Sequence, residues 1–277
     1  MRVGLHVSIA GGLERACLRA AEVGCETIQL FTRSPRGWSA RPLDESGAGR
    51  FRRLTRALDI TPVFVHAPYL VNLATTDRSL AARSRAVLVD ELERAASLGA
   101  SGVVVHPGRV RGREGGVARV ARRVASVLRR AKGAVSLLLE NTAGAAGEIG
   151  ARFEELAEII DRAGSADRLG MALDTAHAFA AGCELRNRPG LDAVLRELDR
   201  TVGLGRLQLL HLNDSRFGLD SHRDRHWHIG RGKIGLAGFR QVVNHPLLRH
   251  LPGILETPRA DRRDDRRNLA AIRGLVR

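Results

Sequence analysis

The segment LDTAHAFAAG, from Leu173 to Gly182, places a carboxylate and an imidazole directly after an apolar run. Asp174 ends that run, and His177 follows three residues later. Either group is costly to bury without a partner. The two residues are therefore either a mutually hydrogen-bonded pair or two ligands at the rim of a metal site. The residues that end the other apolar runs distinguish these interpretations.

Acidic and imidazole side chains end six consecutive apolar runs of the chain. In chain order they are His66, His106, Glu140, Asp174, His211 and Glu256. Packing gives no reason for such a series, whereas a metal cluster needs these groups to converge. The segment DRHWH adds Asp224 and His226, which at D-x-H spacing can share one metal. With His177 the candidates exceed the roughly four ligands that one metal takes, so two or three ions bridged by a carboxylate are expected.

The types of these ligands narrow the choice of metal and of reaction. Imidazoles and carboxylates without thiolates suit Zn²⁺, Mn²⁺ or Fe²⁺, and many histidines favour Zn²⁺. Asp174 and His177 then serve neighbouring ions. Clustered divalent ions about 3.5–4 Å apart are typical of phosphoester hydrolysis. The site therefore predicts a metal-dependent phosphodiesterase.

Eight short apolar runs must position these side chains, and helical patterns alternate with them. Near-continuous apolar strands are typical of a parallel sheet that is covered on both faces. Gly24 and Gly99 follow two of the helical patterns at positions suited to a C-cap. The predicted strands are Arg2–Ser8, Thr27–Phe31, Pro62–Ala67, Gly102–Pro107, Val135–Asn141, Leu169–Asp174, Leu207–Asn213 and Gly253–Thr257.

This alternation, without a linker or a break in composition, predicts a single α/β domain, a (β/α)8 TIM barrel over residues 1–277. A doubly wound sheet is the alternative, but eight units in this length fit a barrel better. In such a barrel the carboxyl ends of all strands meet on one face, where active sites are built. The six strand-end ligands would then lie together.

The charge of the chain favours a polyanionic partner, with nucleic acid first. The formal net charge is +15, and of the 45 basic residues only Lys132 and Lys233 are lysines, the other 43 being arginines. Arginine and alanine richness also fits a genome of biased base composition, so charge alone does not identify the partner.

The remaining features place the chain inside the cell. Cys17, Cys25 and Cys183 are odd in number and form no C-x-x-C pair, which predicts free, reduced thiols that pack rather than react. No apolar run approaches the roughly 18 residues of a membrane span, and the N-terminus does not have the pattern of a signal peptide. We therefore expect a cytoplasmic protein without a membrane partner.

The motifs together resemble the endonuclease IV family, the zinc-dependent apurinic/apyrimidinic endonucleases, also called AP endonuclease family 2. The resemblance covers nearly the whole chain and implies a xylose-isomerase-like TIM barrel. Each motif lies at a predicted strand end. In order they are GLHVSIAGG, FTRSPRGW, HAPYLVNLA, VVHPG, LENTAG, LDTAHAFAAG, HLNDS, DRHWHIGRGKIG and LETP.

The resemblance implies three zinc ions per chain, with Mn²⁺ or Fe²⁺ an option at one position. One ion would be held by His66, His106 and Glu140. A second would be held by Glu140 as a bridge, with Asp174, His211 and Glu256. The third would be held by His177, Asp224 and His226. His6 is expected to line the site without being a ligand, and His245 is expected at the surface.

The resemblance also implies contacts with DNA. Arg36, Tyr69 and Leu70 match residues that the family inserts into DNA at the lesion, and Asn72 and Arg225 are further expected contacts. The glycine-rich GRGKIG lacks the preceding strand and the Ser or Thr of a P-loop, so we interpret it as a turn at the DNA face. The chain departs from the family pattern at Arg109–Val110 and Trp227–His228, which leaves the ligands intact but affects expected DNA contacts.

The implied activity is hydrolysis of the phosphodiester 5′ to an abasic site in duplex DNA, leaving a 3′-hydroxyl and a 5′-deoxyribose phosphate. A zinc-activated hydroxide, positioned by Glu140, would attack. The enzyme would need no nucleotide cofactor and act as a monomer at the nucleoid. A sugar isomerase or epimerase that uses Glu140, Asp174, His211 and Glu256 for one metal is the alternative enzyme, and a non-catalytic DNA-binding barrel is the alternative of another class.

Overall fold

A closed barrel of parallel strands forms the centre of the molecule. The computed structural model describes residues 1–112, 114–164 and 166–277. Each barrel strand pairs in parallel with its two neighbours. In the order around the barrel, the strands are β1 (Val3–Val7), β2 (Ile28–Leu30), β3 (Val63–His66), β4 (Gly102–Val105), β5 (Ser136–Glu140), β6 (Leu169–Asp174), β7 (Leu207–His211) and β10 (Gly253–Leu255).

The last two strands of the barrel are separated in sequence by a small antiparallel hairpin. Its strands are β8 (Asp214–Ser215) and β9 (His226–Trp227), and Asp214 pairs with Trp227. The hairpin stands on the carboxyl side of β7, so it brings residues 224–227 over the same barrel end as the strand-end ligands. The sequence did not predict it, because two-residue strands have no detectable hydrophobic period.

Helices cover the outside of the barrel. Glycines in the left-handed conformation end the first and third helices, with φ 81° at Gly24 and 68° at Gly99, as expected of these two C-caps. The helices are α1 (Leu13–Val23), α2 (Glu45–Ala57), α3 (Arg78–Leu98), α4 (Gly116–Arg130), α5 (Phe153–Ala163), α6 (Thr175–Ala180), α7 (Arg188–Thr201), α8 (Gly235–Asn244) and α9 (Arg262–Arg273).

The prediction of a (β/α)8 TIM barrel is confirmed, and the closed sheet excludes the doubly wound alternative. The strand β6 has its predicted bounds, and each of the other strands is one or two residues shorter at one or both ends than its apolar run suggested. His106 and Glu256 accordingly lie one residue beyond β4 and β10 rather than inside them. Apolar and polar side chains continue past the last ladder hydrogen bond, which is why the runs overestimate strand length.

A cluster of six apolar side chains lies inside the barrel, and its positions determine where the candidate ligands lie. Its members are Phe64, Val104, Leu138, Ala172, Leu209 and Ile254. Side chains of a strand alternate between faces with a period of two. Each interior residue therefore points to the same side as the residue two positions on, and those residues are His66, His106, Glu140, Asp174, His211 and Glu256.

The cysteines are free, as expected. Cys17 and Cys25 are buried, Cys183 is half-buried, and burial raises the pKa of all three thiols to about 12. Such thiols are unreactive near neutral pH. In the part of the chain that the structure describes, no helix combines the length and the apolar character needed to cross a membrane.

The expectation that His245 lies at the surface is wrong. Its side chain is only 4% exposed, and Nε2 lies 2.9 Å from Oδ1 of Asp192 on α7. The residue follows α8, whose end packs towards α7, and no local sequence pattern indicates that a loop histidine will be covered by another helix.

Candidate metal centre

The opening segment LDTAHAFAAG joins a strand end to a helix. Asp174 is the last residue of β6 and also the N-cap of α6, where its Oδ1 accepts from the His177 backbone N–H at 2.8 Å. This cap fixes the first turn of the helix, so that the His177 ring lies over the barrel end. Asp174 and His177 are thus a hydrogen-bonded pair and, at the same time, neighbours in a cluster of possible ligands.

The first group of possible ligands surrounds one oxygen of Glu140. Oε2 of Glu140 lies 3.3 Å from Nε2 of His66 and 3.2 Å from Nε2 of His106. The three ligand atoms lie within 4.8 Å of one another. Strands β3, β4 and β5 are adjacent in the barrel; His66 and Glu140 end β3 and β5, and His106 directly follows β4.

The second group surrounds the other oxygen of Glu140. Oε1 lies 2.9 Å from Nδ1 of His211, and the same nitrogen is 3.4 Å from Oε2 of Glu256 and 3.9 Å from Oδ2 of Asp174. These four residues also offer ligand atoms within 4.8 Å of one another. Glu140 therefore presents one oxygen to each of two groups.

The third group is formed by helix α6 and the hairpin. Nε2 of His177 and Nε2 of His226 are 3.3 Å apart, and Oδ1 of Asp224 lies 3.2 Å from the first and 3.7 Å from the second. Oδ2 of Asp174 is 3.4 Å from Nε2 of His226, so Asp174 joins this group as well as the second. The structure thus brings all nine sequence-predicted residues together, with Asp174 between two groups.

Backbone carbonyls orient three of the histidines. A carbonyl can only accept, so the Nδ1 that faces it carries the proton and Nε2 is left unprotonated for a metal. The Nδ1 donors and their carbonyl acceptors are His66 to Ala67 (2.7 Å), His177 to Asn141 (3.0 Å) and His226 to Glu256 (3.2 Å).

His211 is oriented the opposite way, by a glutamine that sequence reasoning missed. Its Nε2 donates to Oε1 of Gln29 at 2.9 Å, which leaves Nδ1 facing the carboxylates. Nε2 of Gln29 donates to Oε1 of Glu256 at 2.6 Å, and Nδ1 of His6 lies 3.2 Å from that oxygen. His6 therefore supports a ligand residue, in line with its expected place. A buried polar residue in the apolar run TIQLF was the available signal for Gln29.

Two asparagines that follow strand ends also hold the ligands, and neither was predicted. Asn213 donates through Nδ2 to Oδ2 of Asp174 at 2.6 Å and accepts from the Glu256 backbone N–H at 2.7 Å. Asn141 accepts from the Asp174 backbone N–H at 2.7 Å and donates to its carbonyl at 3.1 Å. The sequence could have indicated both asparagines by their positions, because Asn141 directly follows Glu140 and Asn213 lies two residues after His211.

The charges of this cluster fit a bound cation. Glu140 and Asp174 are fully buried, and within the described residues their ion-pair partners, like those of Glu256, are histidines alone. Buried carboxylates need opposite charge. Burial opposes the ionisation of His211, but the Glu256 and Glu140 carboxylates raise its pKa to about 9. The same balance raises the pKa of His177 well above its usual value, mainly through Asp174. Divalent ions would replace these protons.

The centre opens to solvent on the side of the expected DNA contacts. A cavity of about 510 Å³ is lined by His66, Tyr69, Asp224, Arg225 and His226 among others. Exposure increases from the floor to the rim, from 0% for the Glu140 side chain to 51% for that of Asp224. Tyr69 is 64% exposed, Arg36 and Arg225 are exposed, and Leu70 is half-buried.

Asn72 lies at the same rim, but its amide is already engaged by the backbone. Oδ1 accepts from the N–H groups of Ala74, Thr75 and Arg109 at 3.0–3.1 Å, and Nδ2 donates to the Arg109 carbonyl at 2.9 Å. Asn72 thus connects the loop after β3 to the loop after β4. A contact of Asn72 with DNA stays a prediction.

The two departures noted in the sequence lie around the centre and outside the ligand groups. Arg109 lines a cavity of about 280 Å³ together with His66, His106 and Asp224. The guanidinium of Arg216 stacks over the Trp227 ring at 4.8 Å, and Nδ1 of His228 is 3.2 Å from Nδ2 of Asn268. His228 is therefore oriented by α9 and belongs to none of the three groups.

Comparison with known proteins gives the family. Residues 17–275 match the AP endonuclease 2 family model, described as a xylose isomerase-like TIM barrel. A protein named "Probable endonuclease 4" from Methanoculleus marisnigri is 45% identical over 99% of this chain and 98% of its own length. The chain belongs to the endonuclease IV family. It is accordingly an enzyme of the nuclease class, as the motifs implied.

Solved structures agree with this membership. The crystal structure of endonuclease IV from Thermus thermophilus has 42% sequence identity to this chain and a TM-score of 0.90. The match covers 99% of this chain and 98% of that one. A D-tagatose 3-epimerase-like protein has a TM-score of 0.70 at 20% identity, covering 99% of this chain and 97% of that one. The latter likeness shows the fold alone.

Proposed function

We propose that this protein incises duplex DNA on the 5′ side of abasic sites by metal-dependent hydrolysis, leaving a 3′-hydroxyl and a 5′-deoxyribose phosphate. The observation that carries the proposal is the arrangement of nine ligand side chains in three contiguous groups that share Glu140 and Asp174. Membership of the endonuclease IV family supports the choice of substrate.

Three zinc ions per chain match the three groups. His66 and His106 would hold one ion with Glu140, and His211 and Glu256 would hold another with Glu140 and Asp174. His177, His226 and Asp224 would hold the third. The mixture of imidazole and carboxylate ligands suits Zn²⁺, and Mn²⁺ or Fe²⁺ would be accepted at one position by the same donors.

Bound in such a centre, divalent ions supply Lewis-acid chemistry, lowering the pKa of water and neutralising charge on a phosphodiester. Glu140 spans the first two groups with its two oxygens and so sets their separation. Gln29 and Asn213 keep the carboxylates of Glu256 and Asp174 in place. The attacking water would approach beside Glu140, which is the catalytic residue of this proposal.

Residues at the rim would recognise the lesion. Tyr69 and Leu70 follow His66 by three and four residues, and an exposed aromatic ring beside an apolar side chain can enter the gap next to a base-less sugar. Arg36 would enter from the neighbouring loop, and Arg225 lies at the edge of the 510 Å³ cavity. A sugar without its base is also the least costly nucleotide to extrude.

The competing function is epimerisation of a sugar with one metal. The second group alone, Glu140, Asp174, His211 and Glu256, would satisfy it, and an epimerase-like protein shares the fold. That function leaves the other five side chains without a role, although all five lie within 4 Å of another candidate ligand. The three-group arrangement therefore favours the nuclease.

Incision of a defined duplex tests the proposal. The substrate carries one tetrahydrofuran abasic analogue, which cannot undergo β-elimination, and a duplex without the analogue is the control. We expect a single nick immediately 5′ to the analogue with a 3′-hydroxyl end, and no nick after the metal is removed by a chelator. An intact duplex with zinc-loaded protein, alongside epimerisation of a ketohexose, would contradict the proposal.

The wider setting follows from the substrate. We propose that the enzyme acts as a monomer of one barrel domain, residues 1–277, without a nucleotide cofactor. It would work in the cytoplasm and associate with the nucleoid when it repairs DNA. The net charge of +15 supports binding to a polyanion of this kind.

A further inference from the structure

A buried group of charged residues joins helix α3 to the loop of residues 31–44, which lies between β2 and α2 and is called the 31–44 loop below. The side chain of Arg33 is 3% exposed and that of Glu91 is 0% exposed. Nε of Arg33 donates to Oε1 of Glu91, and Nη2 donates to Asp90. The ligand groups of the metal centre do not use this cluster.

The helix holds the loop at several points. Oε2 of Glu91 accepts from Oγ1 of Thr32 at 2.7 Å. Arg94, also on α3, donates through Nη2 to the Thr32 carbonyl and through Nη1 to the Arg41 carbonyl, both at 2.9 Å. Both ends of the segment that carries Arg36 are thus attached to one face of α3.

Arg33 also closes the tip of the loop. Its Nη1 donates to the Trp38 carbonyl at 2.9 Å, so residues 33–38 form a closed turn with the exposed Arg36 in its middle. The planar guanidinium of Arg33 donates to Glu91, Asp90 and the Trp38 carbonyl, and these three bonds fix the orientation of the loop relative to α3. A lysine ammonium would not fix it in this way.

The tip is connected to the second expected DNA-inserting residue. The Pro35 carbonyl accepts from the Tyr69 backbone N–H at 3.0 Å. The rings of Phe31 and Tyr69 meet edge to face with centroids 5.4 Å apart. The backbone next to Arg36 is therefore linked directly to Tyr69, and Arg33 with Glu91 holds the loop that makes this link.

We propose that the buried Arg33–Glu91 pair is a positioning device for lesion recognition, which holds the 31–44 loop so that Arg36 and Tyr69 engage the DNA together. This inference rests on the proposed function. Neither Arg33 nor Glu91 touches the substrate, and the pair acts through the loop.

The test compares Glu91→Gln with Glu93→Gln, a change of the same type at an exposed position of the same helix. Incision of the tetrahydrofuran duplex is measured as KM and kcat, at a temperature at which circular dichroism shows every variant folded. We expect Glu91→Gln to raise KM roughly tenfold while kcat changes less than about threefold, in the range of coupled residues. Glu93→Gln should match the wild type.

A double-mutant cycle with Arg36→Ala separates positioning from general stability. The cycle is also run with Tyr69→Ala present beside Arg36→Ala. If the pair acts through these two residues, Glu91→Gln adds little to the rise in KM that their joint replacement causes. Arg33→Lys keeps the positive charge but loses the planar set of N–H donors. We therefore expect it to raise KM as Glu91→Gln does. A lowered kcat at unchanged KM, or additive effects in the cycle, would overturn the proposal.

The outcome for the wild type keeps the two proposals apart. If the wild type does not incise the duplex, the proposed function fails. If the wild type incises it and Glu91→Gln has the wild-type KM, only the positioning role of the pair fails.

Discussion

Glu140 is the residue on which the centre depends. It is fully buried at the end of β5, and its two oxygens lie 2.9–3.4 Å from nitrogens of four histidines. Burial opposes its ionisation, but the neighbouring imidazoles, His106 first, hold the pKa of Glu140 well below its ordinary value. It therefore stays a carboxylate, with one oxygen for each of two metal groups.

Replacing Glu140 with Gln tests this role. The amide keeps the shape but loses the charge and one of the two acceptor oxygens, so the residue no longer offers an oxygen to both groups. We expect incision of the abasic duplex to fall by at least about 100-fold, since changes in residues that only support a metal already cost 10–100-fold. The measurement is the initial rate of nicking, and Glu158→Gln on the outside of α5 is the control.

If Glu140→Gln nicks the duplex within a few-fold of the wild-type rate and its metal content is unchanged, Glu140 does not bridge two metal positions. Circular dichroism of both variants checks that the barrel is intact.

At the scale of residues, the sequence predicted which candidate ligands lie together but missed the residues that hold them in place. Six ligands follow from the period of two in the barrel strands, because each lies two residues after an interior side chain. Gln29 and Asn213 were missed because their partners lie on other strands, up to 227 residues away in sequence. The dual position of Asp174 was also not predictable, since it depends on how closely the hairpin approaches β6.

Among the structural elements, the loop GRGKIG shows how a carboxylate can organise a turn. The buried side chain of Asp214 accepts hydrogen bonds from five backbone N–H groups, four of them in this loop. The donors are Ser215 (2.9 Å), Gly230 (2.9 Å), Gly232 (3.0 Å), Ile234 (3.0 Å) and Gly235 (3.4 Å). Such a concavity of N–H groups binds anions, and here the anion is the protein's own.

The same geometry explains the glycines of the loop. A Cβ at residue 232 would lie 2.4 Å from Oδ1 of Asp214, and Gly230 has a φ of 76°. Arg231 and Lys233 are exposed between these glycines, at positions from which both can reach a phosphate. The sequence predicted a turn here and excluded a P-loop, but it did not show what holds the turn.

Asp214→Asn should destabilise the loop, because an amide turns an N–H towards backbone donors. We expect the free energy of unfolding to fall by roughly 1.5–3 kcal/mol, the range for hydrogen bonds to charged groups. Urea unfolding followed by circular dichroism measures it. Asp220→Asn, at an exposed position whose φ of 61° asparagine tolerates, is the matched control.

Equal stability of Asp214→Asn and Asp220→Asn would contradict the role of Asp214 as the centre of the loop. The barrel strands themselves were predicted to within two residues at each end, because each is a near-continuous apolar run. The hairpin of β8 and β9 has no such run, and only the tertiary structure defines it.

The whole molecule has a net charge of +15, and two of its arginines line a cavity beside the metal centre. A cavity of about 980 Å³ is lined by Arg109, Arg111, Asn72 and Thr75 among others, and it shares Asn72 and Arg109 with the 280 Å³ cavity at the ligands. Among the described residues, no carboxylate forms an ion pair with Arg109 or Arg111. This groove is suited to the DNA strand that flanks the lesion.

Arg109→Ala and Arg111→Ala should each make duplex binding less sensitive to salt. A lost phosphate contact reduces the slope of log K against log salt concentration by about 0.9. Fluorescence anisotropy of a labelled abasic duplex, measured with a catalytically inactive protein over a range of salt concentrations, gives the slope. Arg130→Ala, at the end of α4 remote from the metal centre, is the control and should leave the slope unchanged.

A slope that both variants share with Arg130→Ala would place the flanking DNA elsewhere on the molecule. The composition favoured a polyanionic partner but did not locate its contacts, because the net charge does not show which arginines lack an ion-pair partner. The groove depends on the paths of the loops after β3 and β4, which Asn72 joins.

The central claim is that nine side chains form one centre with three metal positions, and the metal content of the protein tests it most directly. Protein reconstituted with zinc and freed of excess metal would be analysed by inductively coupled plasma mass spectrometry. Three ligand groups predict about three zinc ions per chain, and about two after Asp224→Ala. About one ion per chain, unchanged by Asp224→Ala, would contradict the account and favour the single-metal sugar epimerase.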